Sequence, residues 1–334
     1  MIKTLIVDDS SLVRTIIRDF LESDGSFEII AEAENGLNGV TQAKLLKPDL
    51  VTMDIEMPVM NGLDAIVEIK AAVNTAIVVI STHDTAKMAY EATVKGAHEF
   101  FAKDIFTSQM SEQRREEIIN TLKQITGTKK RSQGLDSVKQ AAVASRKINA
   151  IVIAASTGGP MALCQLFTAL PGELSVPIFL VQHNTSGFDR SFVQWLDEYT
   201  PLNVCLAEEG TVPVKGSIYV APTDRHMILG DKGIAFDDGE PVNNQKPAAD
   251  ILFKSAAEFY GDGLVSVVLT GMGSDGAEGT RYVKQAGGVT IAQDEATSMI
   301  YGMPQAAVGT GCIDMILPLG EIPKRLVFLS NGNV

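Results

Sequence analysis

With 334 residues the chain has room for about two domains of ~150 residues, and its 45% hydrophobic content excludes global disorder. Its 28 basic against 41 acidic side chains leave a formal charge of −13, which argues against duplex DNA as a ligand, so no nucleic-acid partner is expected. The 3 cysteines, Cys164, Cys205 and Cys312, make no Cys-x-x-Cys pair, so neither a disulfide framework nor structural zinc is expected and a reducing cytoplasm fits them.

The charge is uneven along the chain. Residues 1–126 are net −8 and residues 148–334 net −10, whereas residues 127–147 are net +5 and rich in small polar side chains. This pattern predicts a first domain over 1–125, a basic interdomain linker over 126–147 and a second domain over 148–334. The first apolar run is cut short by Asp8 and Asp9, unlike a secretory signal. No apolar run approaches the ~18–20 residues of a membrane span, so no membrane insertion is expected.

In the first domain, short apolar runs at Thr4–Val7, Ile29–Ala33, Leu50–Met53, Ala76–Ile80 and Glu99–Ala102 alternate with amphipathic stretches. Leu12, Ile16, Ile17 and Phe20, for example, share one helical face. Strand-like runs separated by helices predict an α/β domain, here a flavodoxin-like five-stranded parallel sheet covered on both faces.

The second domain repeats the pattern with runs at Ala150–Ala155, Pro177–Gln182, Ser217–Val220, Leu264–Leu269 and Val289–Ala292. Helical stretches are predicted over Met161–Leu170, Ala249–Tyr260 and Gly276–Ala286, and a hairpin around Met227–Phe236. A second, three-layer doubly wound α/β domain is expected.

Asp8 and Asp9 follow the first strand and Asp54 the third, so three carboxylates gather at one sheet edge. They repel one another unless a cation intervenes, and an all-oxygen set suits Mg²⁺. Lys103 and Ser81 end the fifth and fourth runs at the same edge. A carboxylate, a hard cation, a lysine and a hydroxyl suit phosphoryl transfer, with Asp54 as nucleophile. These residues, with Asp54-Ile55-Glu56-Met57-Pro58, Gly62 and Gly96-Ala97, resemble the receiver domain of response regulators. The resemblance implies that Asp54 accepts a phosphoryl group from a partner histidine kinase. It also implies Mg²⁺ held by Asp9, Asp54 and the Glu56 main-chain carbonyl, with Asp8 assisting. Ser81 and Thr82 compete for the switch hydroxyl, and the spacing to Gly96 favours Ser81. Two positions depart from the pattern: Asn61 stands where aspartate is usual, and Asp104 follows Lys103 where proline is usual.

In the second domain the run Ala150–Ala155 leads straight into Ser156-Thr157-Gly158-Gly159-Pro160 and a helix. Such a corner puts Ser156 at a strand's C-terminal end and aims helix N–H groups at it. A bare phosphate-binding turn is the plainer explanation of this motif, but no lysine follows the glycines as a Walker loop requires. A serine needs a base. His183 ends the next strand and faces the same edge, and His226, in the turn Ala221–Met227, is the second candidate. Asp275, in the glycine-rich Thr270–Ala277 turn after a further strand, can orient the imidazole or simply cap a helix.

Together with Val181-Gln182-His183 and Lys246-Pro247-Ala248-Ala249-Asp250-Ile251-Leu252-Phe253, these motifs resemble the catalytic domain of the chemotaxis protein-glutamate methylesterases over roughly 148–330. The stretch Asn243-Asn244-Gln245-Lys246 departs from that family's usual His-Arg pair. The resemblance implies Ser156 as nucleophile, His183 as base, Asp275 as its partner, the Met272 backbone N–H in an oxyanion hole and Thr157 lining the site, with no cofactor for the esterase step. It implies a cytoplasmic enzyme, activated by phosphorylation, that demethylates glutamate methyl esters and deamidates glutamines on chemoreceptor helices. A phospho-dependent binding protein without chemistry is the competing class. The triad reading expects hydroxyl, imidazole and carboxylate within hydrogen-bond reach of one another.

Overall fold

Short apolar runs build one parallel sheet in each half of the chain. The computed structural model describes residues 1–82, 86–107, 110–127, 147–184 and 186–331, and the chain divides into two compact units, Met1–Lys130 and Arg131–Val334.

In the first unit β1 (Ile2–Val7), β2 (Phe27–Ala33), β3 (Leu50–Met53), β4 (Ala76–Ser81) and β5 (Glu99–Ala102) pair in the order β2-β1-β3-β4-β5, every pair parallel. Helices α1 (Ser11–Glu22), α2 (Gly36–Leu46), α3 (Gly62–Ala72), α4 (Ala86–Lys95) and α5 (Glu112–Gly127) connect and flank them. Every residue of β3 and β4 is buried, as helices on both faces require. Polar side chains start the helices: Ser10, Asn35 and Asn61 each accept a backbone N–H three residues on, at 3.4, 2.9 and 2.9 Å. The strand order reverses between β1 and β3, so a crevice opens beyond their C-terminal ends. Residues 126 and 127 of the expected linker belong to α5, and residues 128–146 lie outside the described residues.

The second unit holds β6 (Ala150–Ala155), β7 (Ile178–Gln182), β8 (Asn203–Leu206), β9 (Ser217–Val220), a separate antiparallel hairpin of β10 (His226–Gly230) and β11 (Gly233–Asp237), then β12 (Leu264–Val268), β13 (Val289–Gln293) and β14 (Met315–Leu317). Its main sheet runs β14-β13-β12-β6-β7-β9-β8, again wholly parallel. The helices are α6 (Gly159–Thr168), α7 (Asp189–Tyr199), α8 (Ala249–Tyr260), α9 (Ala277–Gln285), α10 (Met303–Gly309) and α11 (Ile322–Ser330). Trp195, Phe179 and Phe253 are fully buried in this unit. Strand β6 is central, with β7, β9 and β8 to one side and β12, β13 and β14 to the other. The connections therefore diverge at the C-terminal end of β6, where a ligand crevice is expected and where Ser156 stands. Among the described residues no helix is long and apolar enough to cross a membrane, and all three cysteines are unpaired.

Gly62 shows how tightly the loop after β3 folds back. Its N–H donates to Ile55 O at 2.8 Å, and a Cβ on it would overlap the Asp54 carbonyl oxygen. Gly62→Ala should therefore destabilise the first unit by about 1–3 kcal/mol through overpacking. A lowered urea midpoint for that unit's unfolding checks this, and an unchanged midpoint contradicts it.

Candidate active site

In the first unit Asp8 and Asp54 are buried and Asp9 is exposed, and their carboxylate oxygens lie within 4.8 Å of one another. The Lys103 ammonium reaches between two of them, donating to Asp54 Oδ2 at 2.7 Å and forming an ion pair with Asp8 Oδ2 at 2.8 Å. The other Asp54 oxygen accepts Ile55 N–H at 2.8 Å, and Asp8 Oδ1 accepts Ser10 N–H at 2.9 Å. Burial pushes the Asp54 carboxyl up to about 6; Lys103 opposes that rise and the Asp8 charge adds to it. Burial alone would depress the Lys103 ammonium, but Asp54 and Asp8 more than offset it and hold its pKa above the usual lysine value.

The remaining first-unit residues fall at this edge or just beyond it. Ser81 ends β4, buried, opposite Ala102, the residue before Lys103, whereas Thr82 is exposed. Glu56 follows Asp54 in the same loop with its side chain exposed. Neither departure disturbs the cluster. Asn61 caps α3 as an aspartate would and also donates to Asp64 Oδ2 at 2.9 Å. The peptide bond after Lys103 is trans; among the described residues only Lys246–Pro247 is cis.

In the second unit three strand ends meet. β6 and β7 pair up to Ala155 and Gln182, so Ser156 and His183 occupy the next positions on neighbouring strands. Ser156 N–H donates to Thr270 O, just past β12, at 3.1 Å, and the Gly271 backbone stands so close that a Cβ on it would lie 2.8 Å from Ser156 Cβ. Gly158, with φ of +74°, turns the chain into α6. Thr157 is buried, and its carbonyl accepts the Thr270 hydroxyl at 3.0 Å, while Met272 is half-buried in the facing loop.

The imidazole–carboxylate contact is made and the hydroxyl–imidazole contact is not. His183 Nε2 lies 2.8 Å from Asp275 Oδ2, whereas its buried Nδ1 finds no hydrogen-bond partner among the described residues. A carboxylate accepts only from a protonated nitrogen, so this contact needs a proton on Nε2, and in the Nε2–H tautomer the Nδ1 lone pair is unengaged. The expectation that all three side chains bond one another therefore holds for one contact. Ser156 sits at the adjoining strand end, but no hydrogen bond joins its hydroxyl to Nδ1; such contacts commonly tighten only when substrate seats.

Asp275 does not cap the helix it precedes. Its Oδ2 also accepts Ala249 N–H at 2.7 Å, and its Oδ1 accepts Asp250 and Gly276 N–H, each at 3.0 Å. It thus caps α8 from another segment. Burial alone would raise its pKa, but the His183 contact and the Ala249 and Asp250 N–H groups reverse that and hold it below the ordinary carboxylate value. His226, the second candidate base, is fully engaged: Nδ1 accepts Ala248 N–H at 3.0 Å and Nε2 lies 3.0 Å from Glu240 O. Its role in this structure is to brace the turn before α8.

Both units match known families. Residues 151–326 match the family model for CheB methylesterase, and residues 4–114 that for the response regulator receiver domain. The chain belongs to the CheB methylesterase family. A protein of Pyrococcus horikoshii named protein-glutamate methylesterase/protein-glutamine glutaminase is 38% identical over 341 residues, covering 98% of this chain and 93% of that protein. One of the same name from Clostridium acetobutylicum is 37% identical, covering 99% and 98%. The crystal structure of the Thermotoga maritima CheB methylesterase catalytic domain aligns with a TM-score of 0.53 and 38% identity, covering 55% of this chain and 100% of that one.

Within this CheB-family chain the structure adds two residues to the surroundings of the site. The Gln182 side-chain amide donates to Ser156 O at 3.1 Å and to His183 O at 2.9 Å, cross-tying the two strand ends. Asp250, buried beside Asp275, has its carboxyl pushed up to about 6, by burial first and by the Asp275 charge. Both stand in motifs that were legible as motifs, but no spacing rule reveals a bond between side chain and distant backbone.

Lys103 is the main group opposing the rise of the Asp54 carboxyl. Lys103→Met should therefore push that carboxyl above about 6. Carboxyl-carbon NMR of labelled Asp54 across pH checks it; an unchanged or lower midpoint contradicts it.

Proposed function

We propose that this chain is a phosphorylation-activated serine hydrolase of the chemotaxis system. On this reading it converts glutamate methyl esters on chemoreceptor helices to glutamate and methanol, and deamidates receptor glutamines. The observation that carries the reading is the His183 imidazole, tied through Nε2 to Asp275 with Nδ1 unengaged, one strand over from Ser156. The names of the full-length relatives from Pyrococcus horikoshii and Clostridium acetobutylicum support the same chemistry.

In the proposed reaction the Ser156 hydroxyl turns toward His183 Nδ1, gives up its proton there and attacks the ester carbonyl carbon. The Nε2–H stays with Asp275, whose carboxylate stabilises the imidazolium without taking its proton. Backbone N–H groups around Met272 and the start of α6 stabilise the oxyanion, and Thr157 lines the pocket. Collapse expels methanol, which takes the proton from Nδ1, and leaves an acyl-serine. Water, deprotonated by His183, then releases the glutamate carboxylate and restores the hydroxyl. A glutamine side chain follows the same path with ammonia as the leaving group.

In the receiver domain Asp54 would accept a phosphoryl group from a histidine kinase, with Ser81 as the switch hydroxyl. The three carboxylates offer only oxygen atoms within a small space, the donor set Mg²⁺ takes, so the residues present fit that ion. Asp9, Asp54 and the Glu56 main-chain carbonyl would hold it, with Asp8 alongside. Bound there, it would neutralise charge developing on the phosphoryl oxygens. Lys103, bonded to Asp54 and paired with Asp8, would turn to the same oxygens. A cytoplasmic location follows from the proposed kinase and receptor partners.

Methanol release from a methylated receptor fragment tests the hydrolase. Ser156→Ala should lower kcat at least about 10³-fold. Asp275→Asn, which disturbs the tautomer, should lower it by about 10²–10⁴-fold. Full activity in Ser156→Ala ends the enzymatic reading and leaves a binding role. For regulation, a small phosphodonor should raise the rate of the intact chain and leave Asp54→Asn unmoved. A donor effect that survives in Asp54→Asn contradicts phosphorylation at that residue.

A further inference from the structure

Two helices begin at Asp275, and neither supplies its own cap. Ala248 precedes α8 and Gly276 precedes α9, and neither capping residue offers a side-chain hydrogen bond. Instead they exchange carboxylates. Asp275, in the loop before α9, accepts the Ala249 and Asp250 N–H groups of α8 at 2.7 and 3.0 Å. Asp250, in the first turn of α8, returns the contact: its Oδ1 accepts the Gly279 N–H of α9 at 2.7 Å. Its Oδ2 accepts Asn243 Nδ2 at 2.8 Å, so both oxygens of this buried carboxyl are engaged.

The exchange has an electrostatic and a steric basis. Each helix N-terminus carries roughly half a positive charge, so two of them brought together repel unless negative groups stand between. Asp250 and Asp275 are those groups. The close approach is made at Gly279, where a Cβ would lie 2.6 Å from Phe253 Cβ and 3.1 Å from Asp250 Cα. The link from Asp275 to α9 is short, because only Gly276 separates them. Wherever α9 is held against α8, the Asp275 carboxylate is held too.

We propose that Asp250 is a positioning residue for the hydrolysis: by binding the first turn of α9 it fixes where Asp275 meets His183 Nε2. It does not touch the reacting atoms. The inference rests on the triad reading of Ser156, His183 and Asp275 given above. A shift of about 1 Å in a supporting group is worth roughly 10²-fold in rate, which sets the size of the effect.

The test compares Asp250→Ala and Asp250→Asn in the full-length chain, by steady-state methanol release from a methylated receptor fragment with phosphodonor present. Asp250→Ala removes the acceptor for Gly279 N–H and should lower kcat by about 10–10²-fold with KM unchanged. Asp250→Asn keeps an amide oxygen for that N–H and should recover most of the lost kcat. Active-site titration with a serine-directed phosphonate counts folded sites, so kcat refers to those alone. A purely structural role predicts fewer sites with normal turnover. Normal kcat per site in Asp250→Ala overturns the proposal, as does an Asn variant as slow as the Ala variant. If Asp250→Ala does not fold, Asn243→Gly carries the test. It removes one bond to Asp250 and tolerates the positive φ of 53° at that position. Lowered kcat at unchanged KM supports the proposal, and unchanged kcat overturns it. A wild type that releases no methanol removes the hydrolase reading itself, and the positioning role with it.

Discussion

The catalytic half of this chain depends on one carboxylate bound by four N–H groups. Asp275 accepts from His183, Ala249, Asp250 and Gly276. Two of these donors are the first backbone groups of α8, a third is the N–H of the neighbouring Gly276, and only the fourth is a side chain. The carboxylate that meets the imidazole is therefore held largely by the start of α8. A buried carboxylate without such partners would take up a proton, as burial alone drives it to do, and would lose its hold on Nε2. The parallel sheet makes the arrangement reachable, because β6, β7 and β12 all end at one edge and deliver Ser156, His183 and the Thr270–Ala277 loop there.

The receiver half solves a related problem with opposite means. Its carboxylates gather beyond the C-terminal ends of β1 and β3, where the Lys103 ammonium lies between two of them and offsets their repulsion. A side chain can swing away where a helix N-terminus cannot. On the proposed function, that difference suits a site that gains a phosphoryl group against one whose charge stays in place.

Much of this was legible in the primary structure because parallel strands buried on both faces read as unbroken apolar runs. β1, β3 and β4 of the first sheet and the five inner strands of the second carry that mark, whereas the edge strand β2 is interrupted by Glu28 and Glu32 and only partly buried. The second sheet's remaining strands, β8 and β14, lie at its two edges, where burial is partial: β8 begins with an exposed Asn203 and β14 is only three residues long. α7 offered Phe192, Trp195 and Leu196 at helical spacing and was readable by the same rule. Site residues at strand ends were legible for the reason that strand ends gather. What spacing cannot convey is orientation. Asp275 stands where a cap for α9 belongs, yet its partners lie some 25 residues earlier, on α8. His226 looks as available as His183 until the backbone groups that occupy both its nitrogens are in place.

The Gln182 amide links the two reacting residues by their carbonyls rather than their side chains. Loosening of the sheet edge there is thus shared: if the end of β6 drifts, the end of β7 is drawn along. With Ser156 and His183 in the roles proposed for them, a single side chain thus governs the backbone spacing of both.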